Sequence, residues 1–127
     1  MLLGDGRDNE LTERIIGCAI EVHRELGPGL LETPYEEAMC SELCRRDLSF
    51  ARQVGVPLFY KGTVISEHRP DLVVERRIVV EIKSIARFEP VHTAQVLTYL
   101  RVMELRIGLL LNFNVAVMKH GIRRVIR

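Results

Sequence analysis

Two carboxylates and a lysine stand in otherwise apolar, strand-like sequence: His68-Arg69-Pro70-Asp71 and, after nine residues, Glu81-Ile82-Lys83. Asp, Glu and Lys are rarely buried without partners, because an unpaired charge in apolar surroundings costs several kcal/mol or is neutralised by a pKa shift. A bound cation offsets that cost, so the pattern raises metal chemistry first. A salt-bridge network on a solvated sheet face explains the same charges equally cheaply.

Alternation along Ile78–Lys83 puts Val79, Glu81 and Lys83 on one face and Ile78, Val80 and Ile82 on the other. Asp71 joins the first group only in one hairpin register. A two-residue turn at Arg76-Arg77 pairs Asp71 with Ile82 and turns it away, whereas a three-residue loop from Glu75 to Arg77, or a bulge, pairs it with Glu81. In the second register the two β-carbons lie about 4.5–5.5 Å apart. Carboxylates so placed can share one cation, with metal–oxygen distances of about 2.0–2.1 Å for magnesium. The Ile82 carbonyl is a further candidate ligand, and Lys83 could orient a metal-bound water or offset charge developing on a phosphate. Further on, His92, Gln95 and Tyr99 share one helical face, which could line a cleft or simply meet solvent.

The rest of the chain must position these groups. Its 127 residues suffice for one core, so a single domain is expected over 1–127, with residues 1–8 as a flexible N-terminus. Apolar residues make up 47% and charged residues 28%, as in ordinary globular proteins. No apolar run approaches the ~20 residues that span a bilayer. The start, Met1-Leu2-Leu3-Gly4-Asp5-Gly6, lacks the regions of a secretion signal. A cytoplasmic protein without membrane association is expected. The formal charge of +1 argues against a globally basic domain, so any polyanion site must be local. Arg123, Arg124 and Arg127 read as a solvated strand end. Cys18, Cys40 and Cys44 do not suggest a disulfide framework, and Cys40-Cys44 has no second pair at zinc spacing, so packing is the expected role.

Leu11, Ile15, Ala19, Val22 and Leu26 recur at helical spacing behind Asp8 or Asn9 as N-cap, and Gly27-Pro28-Gly29 stops that helix. A second helix runs from Leu30 or Thr33 to Arg46 with Tyr35, Ala38, Met39 and Leu43 inward. Thr33-Pro34-Tyr35-Glu36 reads as its capping box. Gln53–Tyr60 and Thr63–Val74 flank a Lys61-Gly62 hairpin turn, and Ile78–Lys83 is the third strand. A helix over Pro90–Glu104 buries Val91, Ala94, Leu97, Leu100 and Met103. Ile107–Phe113 reads as a strand covered on both faces, and Val117–Ile126 as the last strand. The order is ααβββαββ.

Pro70-Asp71 with Glu81-Ile82-Lys83, in a βββ unit leading to a helix that carries Gln95 and Tyr99, resembles the PD-(D/E)XK nuclease superfamily, especially its RecB-like branch. Gly29-Leu30-Leu31-Glu32-Thr33-Pro34-Tyr35 is similar to the GxxExxY signature of a small bacterial family within it. His92-Thr93-Ala94-Gln95, Tyr99-Leu100 and Gly108–Phe113 resemble that family's C-terminal half, so the likeness covers about residues 10 to 127. The resemblance implies an α/β (α+β sandwich) fold of restriction-endonuclease type, a mixed sheet flanked by helices. It also implies Asp71 and Glu81 as magnesium ligands, Lys83 as catalytic lysine and Glu32 as auxiliary acid. Gln95, Tyr99, His92 and Tyr35 would support the site or contact substrate. Pro34 is tolerable only in the first helical turn. A helix starting at Thr33 would leave Glu32 just outside it.

The expected function is a magnesium-dependent nuclease, with manganese as substitute, cleaving phosphodiester bonds in nucleic acid, DNA before RNA. The alternative is a nucleic-acid-binding or assembly module that keeps the fold without turnover, since so small and nearly neutral a chain shows little grip on phosphates. A homodimer would bring two sites to two strands, although no sequence feature fixes a symmetric interface.

Overall fold

The computed structural model describes residues 6–127; residues 1–5, most of the segment expected to be flexible, lie outside the described residues. Helix α1 (Gly6–Leu26) already includes residues 6–8, two earlier than the expected cap, and buries Leu11, Ile15, Cys18, Ala19 and Val22. Gly27, at φ 68°, lets the chain leave it. Helix α2 (Glu32–Arg45) buries Tyr35, Met39, Cys40 and Leu43. The capping box expected at Thr33–Glu36 is not used: Leu31 is the N-cap, so Glu32, Thr33 and Pro34 form the first turn. First-turn N–H groups have no partner inside the helix, so Pro34 removes no bond there.

Five strands follow: β1 (Phe50–Arg52), β2 (Val56–Tyr60), β3 (Thr63–His68), β4 (Leu72–Val74) and β5 (Ile78–Lys83). Then come α3 (Pro90–Met103), β6 (Ile107–Asn112), a 3-10 turn over Met118–Gly121, and β7 (Ile122–Ile126). The main sheet has the order β1-β4-β5-β6-β7, parallel between β5 and β6 and antiparallel elsewhere. This is the expected mixed sheet flanked by helices.

The strands are more numerous than ααβββαββ. Thr63–Val74 is not one strand, because Pro70 has no N–H to extend a ladder. Before it, β3 pairs with β2 in a separate ribbon through Lys61-Gly62, both at positive φ, as the hairpin signal required. After it, β4 enters the main sheet. Three-residue β1 is too short for alternation to reveal. At the far end, a Cβ on Gly121 would come 2.0 Å from the Asn112 carbonyl oxygen, and the 3-10 turn uses that bare backbone before β7 begins.

Helices α1 and α2 cover one sheet face, with Ile15, Tyr35, Met39 and Leu43 against Leu72, Ile78, Val80, Ile82, Leu109 and Leu111. Helix α3 and the ribbon cover the other, with Val56, Val96, Tyr99 and Leu100 against Val73, Val79 and Leu110. The buried stripe of α3 is therefore rotated from the expected one: Leu100 is inside and Leu97 and Met103 pack against this core, but Ala94 is exposed and Val91 is 66% exposed. Gly108 explains the rotation, since a Cβ there would meet Val96 Cγ1 at 2.6 Å and its absence draws Val96 onto the sheet. No helix among the described residues is long and apolar enough to cross a membrane.

Candidate functional site

The β4–β5 connection sets the geometry. Val74 pairs with Ile78, leaving Glu75, Arg76 and Arg77 as a three-residue loop. Glu75 and Arg76 take left-handed φ of 53° and 58°. The Glu75 carboxylate anchors the loop by accepting the Ser49 N–H and hydroxyl, each at 2.6 Å. Continued past Leu72–Val80, this register sets Asp71 opposite Glu81, on the α3 side with Val73 and Val79.

The pair is locked through the main chain. The Asp71 N–H donates to Glu81 Oε1 at 2.7 Å, and the Ile82 N–H donates to Asp71 Oδ2 at 2.8 Å. Each carboxylate thus commits one oxygen to backbone and keeps the other for the site. Asp71 Oδ1 takes a 3.4 Å contact from the Gln53 amide, and Glu81 Oε2 lies 4.0 Å from Lys83 Nζ. The Ile82 N–H points toward the β4 side, and the carbonyl of a strand residue points the way its N–H does. Extended two residues past its last pair, Leu72–Val80, this register would set position 70 opposite Ile82, and Pro70 has no N–H to offer that carbonyl.

Burial first, and the Asp71 charge second, push the Glu81 carboxyl up to about 7; the Asp71 N–H and Lys83 oppose the rise, while Glu32 adds to it. Asp71 is also raised, by burial first and then by Glu36, against the Ile82 N–H, Gln53 and Lys83. Two carboxylates held together at this cost fit a hard divalent cation, whose charge would relieve both burial and repulsion. Among the described residues no three of His, Cys, Asp and Glu converge on a metal position. The two carboxylates are oxygen donors here, and magnesium commonly keeps several waters.

Glu32 is the first residue of α2, and its charge adds to the rise of the Glu81 carboxyl. The turn before it is pinned twice. The Tyr35 hydroxyl donates to the Gly27 carbonyl and accepts the Leu30 N–H, and the Ser84 hydroxyl, one residue past Lys83, donates to the Leu30 carbonyl. Tyr35 itself is fully buried in the α1–α2 layer, stacked on Phe113 at 4.6 Å. Of the two expectations for Tyr35, support of the site or contact with substrate, its backbone-bonded hydroxyl fits the first.

On α3, Tyr99 is brought to the carboxylates. Burial first, then the charges of Glu81 and Asp71, push its hydroxyl up to about 12, against a hydrogen bond from Gln95. His92 caps α3, its Nδ1 accepting the Glu89 N–H at 2.9 Å, and so is not free for proton transfer at that atom. With Gln95 and Tyr99 it lines an open groove of about 360 Å³ between α3 and the ribbon.

Further polar groups near the pair carry little signal in the sequence. Gln53 reaches both Asp71 and Glu36, and Arg52 pairs with Glu36 at 2.9 Å and Glu37 at 2.6 Å. Arg52 and Gln53 come from the unexpected β1 and the residue after it; Glu36 was signalled by lying four residues past Glu32 on one helix face. Buried Asn112, opposite Lys83, bonds both backbone groups of Ile85 at 3.1 and 3.0 Å and so holds the exit of β5. The C-terminal arginines are engaged within the protein: Arg124 with Glu13 at 2.8 Å, Arg123 over the Phe88 ring, and Arg127 on the Leu105 carbonyl.

A family model described as the PD-(D/E)XK nuclease superfamily matches residues 9–125. No curated protein and no solved structure matches the chain.

Proposed function

The chain belongs to the PD-(D/E)XK nuclease superfamily, and from that premise we propose that it is a magnesium-dependent nuclease hydrolysing phosphodiester bonds, with DNA as the preferred substrate and manganese as a working substitute. The ordered blocks around Glu32, Asp71, Glu81-Ile82-Lys83 and Gln95-Tyr99 support the GxxExxY family of the RecB-like branch as its place within the superfamily.

One observation carries the reading: Asp71 and Glu81 share a face and each is fixed through one oxygen, with the second oxygen of Glu81 4.0 Å from the Lys83 ammonium and that of Asp71 beside the Gln53 amide. Asp71, Glu81 and the Ile82 carbonyl would hold the metal. Bound there, magnesium supplies a Lewis acid that activates water and stabilises charge on the phosphate. Lys83 places an ammonium beside Glu81 Oε2, where it can orient the attacking water and offset charge on a non-bridging phosphate oxygen. Tyr99 keeps its proton over the working pH range and, held by Gln95, can donate toward the reacting group. Glu32 adds negative charge at the cluster's edge, as an auxiliary acid.

The test is a cleavage panel of single-stranded, duplex and branched DNA and RNA with magnesium or manganese, run beside Asp71→Ala and Glu81→Ala. Metal-dependent cleavage lost in both folded variants supports the reading. Wild-type cleavage by either variant overturns it. Metal and nucleic-acid binding without turnover in the wild type would favour a binding module on the same fold.

A further inference from the structure

We propose that the groove between α3 and the β2–β3 ribbon is a nucleobase subsite, so that the substrate is a strand with an unpaired base next to the scissile phosphate. This deepens the nuclease reading and rests on it.

The groove, about 360 Å³, lies within the range of small-ligand sites, about 300–1,000 Å³. Its lining suits a flat aromatic guest. Leu58 of the ribbon and Val91 and Ala94 of α3 give apolar walls. The rings of His68 and Tyr99, 6.5 Å apart and tilted by 55°, stand at one end. The Gln95 amide can donate to or accept from a base edge. Val91 is 66% exposed on the lip, apolar surface that a stacked base would cover.

Continuity with the carboxylate pair identifies the guest. Tyr99 belongs both to the groove and to the surroundings of Asp71 and Glu81. A group held in the groove while a phosphodiester sits at the carboxylates is therefore an adjoining part of the same strand. In a duplex each base has its faces stacked and its edge paired, so only an unpaired or extruded base can enter. Charge points the same way. With a formal net charge of +1 the chain has little global attraction for phosphate, and base stacking then has to supply grip.

The experiment measures binding in EDTA, without turnover, by fluorescence anisotropy. The probes are a labelled oligothymidylate, the same length of blunt duplex, and an abasic strand of equal charge. The wild type is expected to bind the oligothymidylate at least tenfold tighter than either comparison probe. Ala94→Phe, which fills the groove without changing charge, should lose most of that preference. Val91→Ser, a surface change, should weaken oligothymidylate binding about threefold and leave abasic-strand binding unchanged. Equal affinity for base-bearing and abasic strands, duplex binding as tight as single-strand binding, or no binding of any probe overturns the subsite. So does a folded Ala94→Phe that binds like wild type; should that variant fail to fold, Val91→Ser decides alone. Cleavage is scored separately with magnesium. Base-dependent binding without cleavage removes the nuclease reading and leaves the subsite, whereas cleavage without base dependence does the reverse.

Discussion

Glu81 Oε1 accepts the Asp71 backbone N–H at 2.7 Å, so the second carboxylate is anchored by the backbone of the residue that carries the first. Strand register and two main-chain hydrogen bonds hold the pair together, and burial and neighbouring carboxylates raise both carboxyls. A buried acid raised to about 7 binds its proton more tightly folded than unfolded. Its stabilising contribution is complete below the unfolded value of about 4.3 and is lost as pH rises toward 7. Asp71, also raised, acts in the same direction. Urea denaturation in EDTA should therefore show lower stability at pH 8 than at pH 5.5. Glu81→Gln should be the more stable protein at pH 8, by roughly 2 kcal/mol. A wild type equally stable at both pH values would contradict this.

Lys83 lowers both carboxyls, so Lys83→Met has two separable effects. Cleavage should fall at least a hundredfold through the lost ammonium, about 3 kcal/mol of barrier. Magnesium affinity at pH 8.5 should rise, because no neighbouring ammonium then repels the metal, whereas at pH 7 a further raised Glu81 lets protons take back part of that gain. Calorimetric titration at the two pH values, beside single-turnover rates, distinguishes these effects.

Glu32 influences Glu81 from the start of α2. Glu32→Gln removes a negative charge and should move the Glu81 titration down, which carbon-13 spectroscopy of labelled glutamate can follow in the metal-free protein. Tyr35→Phe loses the bonds to Gly27 and Leu30 that hold the preceding turn. It should cost about 1–2 kcal/mol of stability, while changing cleavage far less than Lys83→Met.

Much of this site was legible because strand alternation is binary. Once Val79, Glu81 and Lys83 share a face, the remaining unknown was whether the loop from Glu75 to Arg77 held two residues or three, and the left-handed Glu75 and Arg76 make it three. The hairpin at Lys61-Gly62 was legible through turn chemistry. What escaped depended on contacts between distant segments. Thr63–Val74 reads as a continuous strand by composition, yet Pro70 divides it between two sheets. The stripe on α3 turned on Gly108, a residue in another element. Gln53 and Arg52 reached the site through β1, whose three residues carry no periodicity. The bonds of the Tyr35 hydroxyl to Gly27 and Leu30 likewise depend on how the turn between α1 and α2 folds, which no periodicity announces.

Pro70 invites the last prediction. If the register that pairs Leu72 with Val80 is extended by two residues, position 70 falls opposite Ile82, and any residue but proline there would carry an N–H able to donate to the Ile82 carbonyl. If that carbonyl serves the metal, proline keeps it available by withholding a donor. Pro70→Ala should then extend the β4–β5 ladder by one bond and compete with metal binding. Magnesium affinity is expected to fall several-fold, with the protein remaining folded, because the new hydrogen bond offsets part of the packing lost at a buried proline. Unchanged affinity in a folded Pro70→Ala protein would remove the Ile82 carbonyl from the ligand set and leave Asp71 and Glu81 as the only protein oxygens proposed for the metal.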